Sequence, residues 1–169
     1  MGISFKVGDN VVCPSYGVGE VRAIEKKDIG GAPKPFYIIH IYETSLKFMI
    51  PAEGVSSAGV RNLVDLKEVR GIYKILRTKI PMIKNDRGKW KKRCRRYMDM
   101  IKTGAAYQVA EVLRDLLSMS NHKELSFAER KILESARGML VKELALASEK
   151  TEIEVNKKID RIFFIRRVN

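Results

Sequence analysis

The first sixty residues alternate apolar and polar positions over short runs, which is the pattern of β-strands with one buried face. Turn-forming residues separate the runs, so strands are predicted at VGEVRAIEK (18–26), FYIIHIY (36–42) and LKFMIP (46–51). The stretch GGAPKP (30–35) is predicted to interrupt the chain, and Pro51 is predicted to end its strand because proline cannot donate a ladder hydrogen bond. Short strands with glycines at the corners favour a small, strongly bent barrel of the SH3 or Tudor type.

From Leu63 onward, apolar residues recur every three or four positions, which predicts α-helices. Five apolar stripes follow one another, at residues 66–76, 90–101, 106–117, 132–144 and 155–163. Segment 77–89 is rich in proline, glycine and charge and is predicted as a linker or an exposed loop. The final residues, 163–168, have no obvious packing partner in the pattern.

Capping boxes mark where three of these helices begin, because a short polar side chain and a Glu three residues later can satisfy each other's backbone N–H groups. The three pairs are Asp65 with Glu68, Ser126 with Glu129, and Thr151 with Glu154. Gly104 is placed to end the second helix. The predicted fold class is therefore α+β, with a Tudor- or SH3-like barrel over residues 1–61 and a bundle of about five helices over residues 62–169.

The positive charge of the chain lies almost entirely in the helical part. Lysine and arginine number 33 against 20 acidic residues, for a formal net charge of +13. Residues 1–60 carry six cations and six anions, whereas residues 61–169 carry 27 cations and 14 anions. This segregation indicates that the helical part meets a polyanion while the barrel has a different partner.

Several classes of function find no support in the sequence. Cys13 and Cys94 lack the spacing of a zinc site or a disulfide framework, so a reducing cytoplasm is the expected location. His40 and His122 have no ligand partners at metal-binding spacing, and neither a nucleophile elbow nor a P-loop is present. No apolar run approaches the roughly 18 residues of a membrane span. The prediction is a protein without enzymatic activity, cofactor, metal or membrane contact.

The segment 84–96 has the densest positive charge, with eight cations opposed only by Asp86. Like charges at helical spacing repel one another, so an anionic partner is expected, and nucleic acid is the commonest one. Trp90, the only tryptophan, lies within this segment at the head of the second stripe. It is either the first core residue of its helix or a side chain that wedges between bases or stacks on one. Periodicity does not choose between the two interpretations.

A series of short motifs runs through the chain in order: FKVGD (5–9), VGEVRAIE (18–25), FMIP (48–51), GVR (59–61), AEVLRDL (110–116), LSFAERKIL (125–133) and KELALA (142–147). The ordered set resembles the CarD family of bacterial transcription regulators, especially its CdnL branch. The resemblance implies a Tudor-like domain that docks on the β subunit of RNA polymerase, at its protrusion or β1 lobe, as in the transcription-repair coupling factor. It also implies a helical domain that contacts promoter DNA at the upstream edge of the transcription bubble.

The resemblance assigns roles to individual residues. Trp90 would be a minor-groove wedge that hinders collapse of the bubble. Phosphate contacts would come from Lys92, Arg93, Arg95 and Arg130, and contacts with the polymerase from Lys27, Ile29 and Met49. Met49 stands where some members have Arg, which implies apolar contact there instead of a salt bridge. Cys94 stands where relatives often have Tyr, which implies different packing under the wedge.

The predicted function is a regulator that binds the polymerase holoenzyme with its housekeeping sigma factor, as a monomer, and stabilises the open promoter complex. Charge alone also allows a free-standing binder of structured RNA or of DNA, although the neutral barrel argues against a second nucleic-acid module. A third alternative is a scaffold protein whose basic helix binds acidic partner proteins. Replacement of Trp90 separates the three, because each predicts a different loss.

Overall fold

The computed structural model describes residues 4–81 and 89–168, with side chains described as far as Phe164. Residues 82–88 of the predicted loop lie outside the described residues. The chain divides into two compact units, residues 1–63, here called the β unit, and residues 64–169, here called the helical unit. Each unit is described by itself. The predicted domain boundary, between residues 61 and 62, falls inside the last strand of the β unit.

The β unit is one antiparallel sheet of five strands. The strands are β1 (Asn10–Cys13), β2 (Gly17–Ile29), β3 (Ala32–Ile41), β4 (Lys47–Pro51) and β5 (Arg61–Asn62). Their order across the sheet is β4-β3-β2-β1-β5, so each of the first four strands lies beside its neighbour in the chain. A register shift between Val21 and Ala23 marks a bulge in β2, which bends the sheet locally. β1 and β5 were not among the predicted strands, whereas Pro51 ends β4 as predicted.

The prediction that residues 30–35 interrupt the chain was wrong for most of that stretch. Gly30 and Gly31, both with positive φ, form a tight turn, and β3 begins immediately after it at Ala32. Pro33 and Pro35 fit within the strand because this part of β3 pairs only with β2. The pairing with β4 begins at Phe36. The result is a long two-stranded hairpin.

One face of this sheet holds the core of the β unit. Its buried residues include Phe5, Val11, Val21, Tyr37, Ile39, Ile41, Val55 and Val60. Gly19 lies in the centre of the sheet, where a Cβ atom would stand 2.8 Å from the carbonyl oxygen of His40. No larger residue fits there without moving β3. The small core is therefore closed by a close approach of backbone to backbone.

The described part of the helical unit contains five α-helices, in agreement with the predicted bundle of about five. They are α1 (Leu66–Arg77), α2 (Trp90–Lys102), α3 (Ala106–Ser120), α4 (Phe127–Ala147) and α5 (Glu152–Val168). α3 packs against α1, α2 and α4, and α5 packs against α4 and α1. The buried faces follow the predicted apolar stripes except at Leu66 and Met98, which were predicted in them and are 60% and 45% exposed. The most buried residues include Ile72, Leu76, Leu113, Leu116, Leu140, Leu144 and Ile159.

The predicted capping boxes are all present. The backbone N–H of Glu68 donates to Asp65 Oδ1 at 2.7 Å, and the backbone N–H of Glu154 donates to Thr151 Oγ1 at 3.2 Å. The pair of Ser126 and Glu129 closes reciprocally in the same way. Each box satisfies N–H groups that a helix leaves unpaired at its start, so the beginnings of α1, α4 and α5 are specified locally.

Candidate nucleic-acid interface

Trp90 is the first residue of α2 and is half-buried, packed against the edge of the helical core. The bonds from Cα to Cβ in a helix lean toward its N-terminus, so a side chain in the first turn lies at the end of the bundle. No side chain among the described residues caps α2 at Lys89. Trp90 is therefore compatible with both interpretations of the sequence, as a core residue and as a side chain that contacts bases. Part of its ring contacts the core and part is accessible.

Five of the six cations of α2 lie away from its buried stripe. Cys94, Tyr97 and Ile101 face the core, whereas the exposed positions of the first two turns are Lys91, Lys92, Arg95 and Arg96. A shallow groove of about 370 Å³ follows this exposed side, lined by Lys92, Arg95, Arg96, Asp99, Met100, Thr103 and Gln108. Three cations to one acid make it an electropositive groove suited to a phosphate backbone.

Arg93 points in the opposite direction, although the resemblance places it among the phosphate contacts. Its side chain is only 13% exposed, and its guanidinium Nη2 lies 3.4 Å from Glu129 Oε1. The Arg93 Nε atom is buried and has no hydrogen-bond partner in the described structure. In this structure Arg93 therefore connects α2 to α4, while the neighbouring cations remain exposed.

Glu129 is a fully buried carboxylate at the start of α4. In addition to Arg93, it forms an ion pair with Lys123, whose Nζ lies 3.3 Å from Glu129 Oε1. Its Oε2 accepts a hydrogen bond from the backbone N–H of Ser126 at 2.9 Å. Burial by itself raises the pKa of Glu129, but the hydrogen bonds from Ser126 and the charge of Lys123 outweigh it and hold the pKa below its ordinary value. The Glu129 carboxylate is therefore negatively charged at neutral pH, and it connects the first turn of α2 to the first turn of α4.

Cys94 lies beneath the basic segment and is buried in the helical core. Burial raises the pKa of its thiol, and the nearby charge of Glu129 raises it further. Tyr97, one turn later, donates to Asp115 Oδ2 at 3.1 Å, and burial together with that carboxylate raises its pKa. Both groups stay protonated at neutral pH, so this part of α2 is held by packing and one internal hydrogen bond.

The first turn of α4 adds an aromatic residue that the sequence did not single out. Phe127 is 70% exposed, and the ammonium of Lys131 lies 5.5 Å from its ring centroid. Arg130 is half exposed and lies 3.5 Å from the exposed Glu124, a contact of little energetic weight. Glu129 offsets the positive end of the α4 dipole, so attraction of an anion there depends on the side-chain charge of Arg130. The weak contact with Glu124 leaves that charge accessible to a ligand. Exposure, which the periodic pattern does not report, is what identifies Phe127.

The contact between Arg93 and Glu129 brings these features to the same end of the helical unit. Arg93 is one turn from Trp90 in α2, and Glu129 is two residues from Phe127 in α4. Two accessible aromatic rings thus lie among exposed cations, with a buried ion pair between their helices. Such a combination provides phosphate attraction together with surfaces on which bases stack.

The three residues that the resemblance assigns to polymerase binding share one face of the β unit. Ala23, Ile38 and Met49 are opposite one another across β2, β3 and β4. Lys27 and Ile29 follow Ala23 at even spacing in β2, so they project from the same face. This face is opposite the core, and Ile29 and Met49 are 52% and 47% exposed. β4 is an edge strand of the sheet.

Neither residues 4–81 nor residues 89–168 contain three or more His, Cys, Asp or Glu side chains arranged to hold a metal ion. None of the described helices is long and apolar enough to cross a membrane.

Comparison with known proteins identifies both units. Residues 5–64 match the family model of the CarD-like/TRCF RID domain, and residues 71–160 match that of the CarD C-terminal domain. The RID domain is Tudor-like, so the predicted fold class, a Tudor-like β domain followed by a helical bundle, is confirmed.

One relative and one solved structure are similar to this chain. YdeB of Bacillus subtilis (strain 168), provisionally designated a transcription factor, is 33% identical over 152 residues, covering 89% of this chain and 97% of the relative. The solved structure of CdnLNt from Myxococcus xanthus is 42% identical, covers 38% of this chain and 90% of that one, and has a TM-score of 0.31. The family matches and YdeB together span both units in order, and the chain belongs to the CarD/CdnL family of transcription regulators.

Proposed function

We propose that this regulator docks on the β subunit of bacterial RNA polymerase through its β unit and stabilises the open promoter complex through its helical unit. In this proposal the protein acts as a monomer on the holoenzyme with its housekeeping sigma factor, in the cytoplasm near the nucleoid. The polymerase contact keeps the helical unit at high effective concentration beside promoter DNA. DNA affinity of the free protein is then weak and salt-dependent.

The observation that carries the proposal is the position of Trp90. A half-buried ring at the end of a helix is anchored on one side and accessible on the other. The adjacent groove presents Lys92 and Arg95, which would hold the phosphates of the upstream duplex beside the ring. A ring so placed can insert at an opened base step, where unstacking has already occurred, and oppose closure of the bubble.

Phe127 and Arg130 support the same role from the neighbouring helix. The Phe127 ring is largely exposed and is flanked by cations, so it offers a second apolar surface to a base or a sugar. Arg130 would contact a phosphate directly. Arg93 has a different part in the proposal, because its ion pair with Glu129 fixes the first turn of α2 and thereby the direction of Trp90.

The proposed polymerase surface is the outer face of β2, β3 and β4. Met49 and Ile29 supply exposed apolar area there, and Lys27 supplies a cation on the same face. An apolar residue at Met49 suits a contact that is desolvated on binding. The edge strand β4 also has unpaired backbone groups on one side, to which a strand of the partner could add.

The test is the dissociation half-life of open complexes formed by bacterial holoenzyme without the protein, with wild type and with Trp90→Ala. We expect wild type to lengthen the half-life by about tenfold, corresponding to roughly 1.4 kcal/mol, and Trp90→Ala to return it to the value without protein. Polymerase binding by the variant should be unchanged. Met98→Ala, an exposed apolar residue in the same helix, is the matched control and should behave as wild type.

Trp90 is the only tryptophan, so its fluorescence reports its own surroundings without any substitution. Promoter DNA with an open bubble should quench or shift this fluorescence, and fully paired DNA of the same sequence should do so less. If Trp90→Ala folds, binds polymerase and still lengthens the half-life as wild type does, the wedge is not the mechanism. Equal fluorescence changes with open and paired DNA would lead to the same conclusion.

A further inference from the structure

α1 carries a row of cations that no part of the proposed function uses. Lys67, Arg70, Lys74 and Arg77 are all exposed, and their spacing of three, four and three residues places them along one side of the helix. The opposite side of α1 is buried through Val69, Ile72, Tyr73 and Leu76. These four cations, here called the α1 row, therefore form a one-sided basic stripe about 15 Å long.

The α1 row has no acidic partner within ion-pair distance among the described residues. Other cations of the helical unit are paired, as in Arg114 with Asp115 at 2.8 Å and Arg137 with Asp160 at 2.6 Å. Within the row, by contrast, each successive pair is a like-charge pair at helical spacing, which destabilises an isolated helix. The free protein therefore keeps a repulsion that an anionic ligand would relieve.

The basic surface continues from α1 onto α5. The ring of Tyr73 has the ammonium of Lys158 3.8 Å from its centroid and the guanidinium of Arg77 5.9 Å from it. Burial lowers the pKa of Lys158, and the charges of Lys150 and Arg77 lower it further. Two cations, one from α1 and one from α5, thus lie close to one aromatic ring, and Lys150 from the turn between α4 and α5 lies near Lys158. An exposed acid, Glu154, lies near Lys150.

The shape of the surface limits which anion it can take. The apolar face of α1 is used in the core, so the helix cannot insert into a lipid surface as an amphipathic anchor does. A straight row of single-sign charge instead matches a linear polyanion, and a DNA duplex presents a phosphate about every 1.7 Å along its axis. Both Lys and Arg bind phosphate without sequence preference.

We propose that the α1 row is a second phosphate-binding surface of the helical unit, which holds double-stranded DNA by its backbone. The choice of DNA as the polyanion rests on the proposed function, which already brings this unit to a promoter. The surface is built from α1 and α5, whereas the first one is built from α2 and the start of α4. Two surfaces let the unit hold paired DNA with one and the opened base step with the other.

The experiment measures binding of the full-length chain to a labelled linear duplex by fluorescence anisotropy at several KCl concentrations. The test variant is Lys67→Gln/Arg70→Gln/Lys74→Gln, which leaves Arg77 on the Tyr73 ring. The slope of log K against log salt is negative, and each lost phosphate contact reduces its magnitude by about 0.9. We expect the magnitude of the slope to fall by about two to three units and the affinity at low salt to fall at least tenfold.

A matched control removes the same charge elsewhere. Lys6→Gln/Lys26→Gln/Lys47→Gln changes three exposed lysines of the β unit and should leave the slope as in wild type. Equal slopes for the two triple variants would overturn the proposal. If the slopes are equal and the α1 variant loses affinity for polymerase instead, the row binds an acidic protein surface, which overturns it as well.

The outcome is separable from that of the proposed function. If open complexes with Trp90→Ala live as long as those with wild type, the wedge mechanism is wrong. A shallower salt dependence of the α1 triple variant would still support phosphate binding by the α1 row. The reverse result, a functional wedge with an unchanged slope, would remove the α1 row alone. Circular dichroism of each variant before the titration verifies that the helices remain folded.

Discussion

The two units of this regulator present opposite kinds of surface. The β unit, residues 1–63, has a formal charge of only +1 and exposes apolar side chains such as Ile29 and Met49 on the outer face of its sheet. The helical unit, residues 64–169, has the remaining +12 of the chain's +13 and exposes rows of cations, with Trp90 and Phe127 among them. An apolar, neutral face suits a protein partner, whereas a basic face suits nucleic acid. The division of charge is the one that the proposed pair of partners requires.

The interiors differ as well. The buried residues of the β unit are apolar, whereas the helical unit encloses two carboxylates, Glu129 and Glu143. Glu143 accepts from the backbone N–H of Val64 at 3.0 Å, at the entrance of the chain into the unit. Glu129 holds two cations and caps α4. A strongly basic unit thus uses one buried acid, Glu129, to fix two of its own cations and another, Glu143, to bind its own backbone, so its stability depends on buried charge.

The largest expected effect comes from removing one of these acids. Glu129→Ala should destabilise the helical unit by about 3 kcal/mol, because Arg93 and Lys123 lose their counter-ion in a buried place and α4 loses half of its capping box. Urea unfolding followed by Trp90 fluorescence measures this unit alone. Alkylation of the buried thiols offers a second readout, since Cys94 lies in the helical unit and Cys13 in the β unit.

The control for that variant is Glu124→Ala. Glu124 is 90% exposed and forms only a surface pair with Arg130, so its removal should change stability by less than about 1 kcal/mol. Glu129→Gln should fall between the two, because the amide oxygen can still cap α4 but cannot neutralise the cations. If Cys13 becomes accessible together with Cys94 in Glu129→Ala, the two units do not unfold separately and the comparison between them fails.

A smaller effect is expected on the neutral side of the comparison. Met49→Gln should weaken binding of the protein to polymerase by about tenfold, because a buried apolar side chain contributes roughly 1.5–3 kcal/mol relative to an exposed one. DNA binding by the free protein should be unchanged. The measurement is a titration of labelled protein with core polymerase, beside Lys27→Gln for the cation on the same face.

Ile24→Gln is a matched control for Met49→Gln. Ile24 is 45% exposed, close to the 47% of Met49, but it is opposite Tyr37, whereas Met49 is opposite Ile38. Adjacent residues of a strand point to opposite faces, so the two side chains are on different sides of the sheet. Equal losses from the two variants would mean that the outer face does not select the polymerase.

The helices could be predicted from the sequence more completely than the sheet. Capping boxes at Asp65, Ser126 and Thr151 are local signals, and the structure contains the predicted hydrogen bonds at all three. β1 and β5 are short; β1 pairs with β2 through a tight turn, whereas β5 pairs with β1 across about 50 residues of chain. Pro33 and Pro35 indicated a break, yet an unpaired strand side accommodates them. Non-local pairing decides such cases, and a single sequence does not contain it.

The site divides in the same way. The periodicity of apolar residues predicted Trp90 at the head of its stripe. The positive charge of residues 84–96 predicted an anionic partner for that segment. The inward turn of Arg93 was not predictable, because it depends on Glu129, which is 36 residues away and belongs to another helix. The exposure of Phe127 was missed for the same reason. Whether an apolar residue at a helix start is covered depends on which neighbour packs there, and only the three-dimensional arrangement shows it.

The smallest expected effect is a difference in acid sensitivity caused by Glu129. Its pKa is held below the ordinary value of 4.5 in the folded unit, so the stabilisation is fully present above about pH 4.5 and is lost as pH falls below it. Arg93 and Lys123, which face it from α2 and from the segment before α4, keep their charge throughout this range. Wild type should therefore lose urea resistance in the helical unit as the pH falls below about 4.5. Glu129→Gln, which has no proton to gain there, should lose less over the same interval. Parallel curves for the two proteins would show that the folded and unfolded chains hold the Glu129 proton equally, and the buried acid would then contribute only its hydrogen bonds.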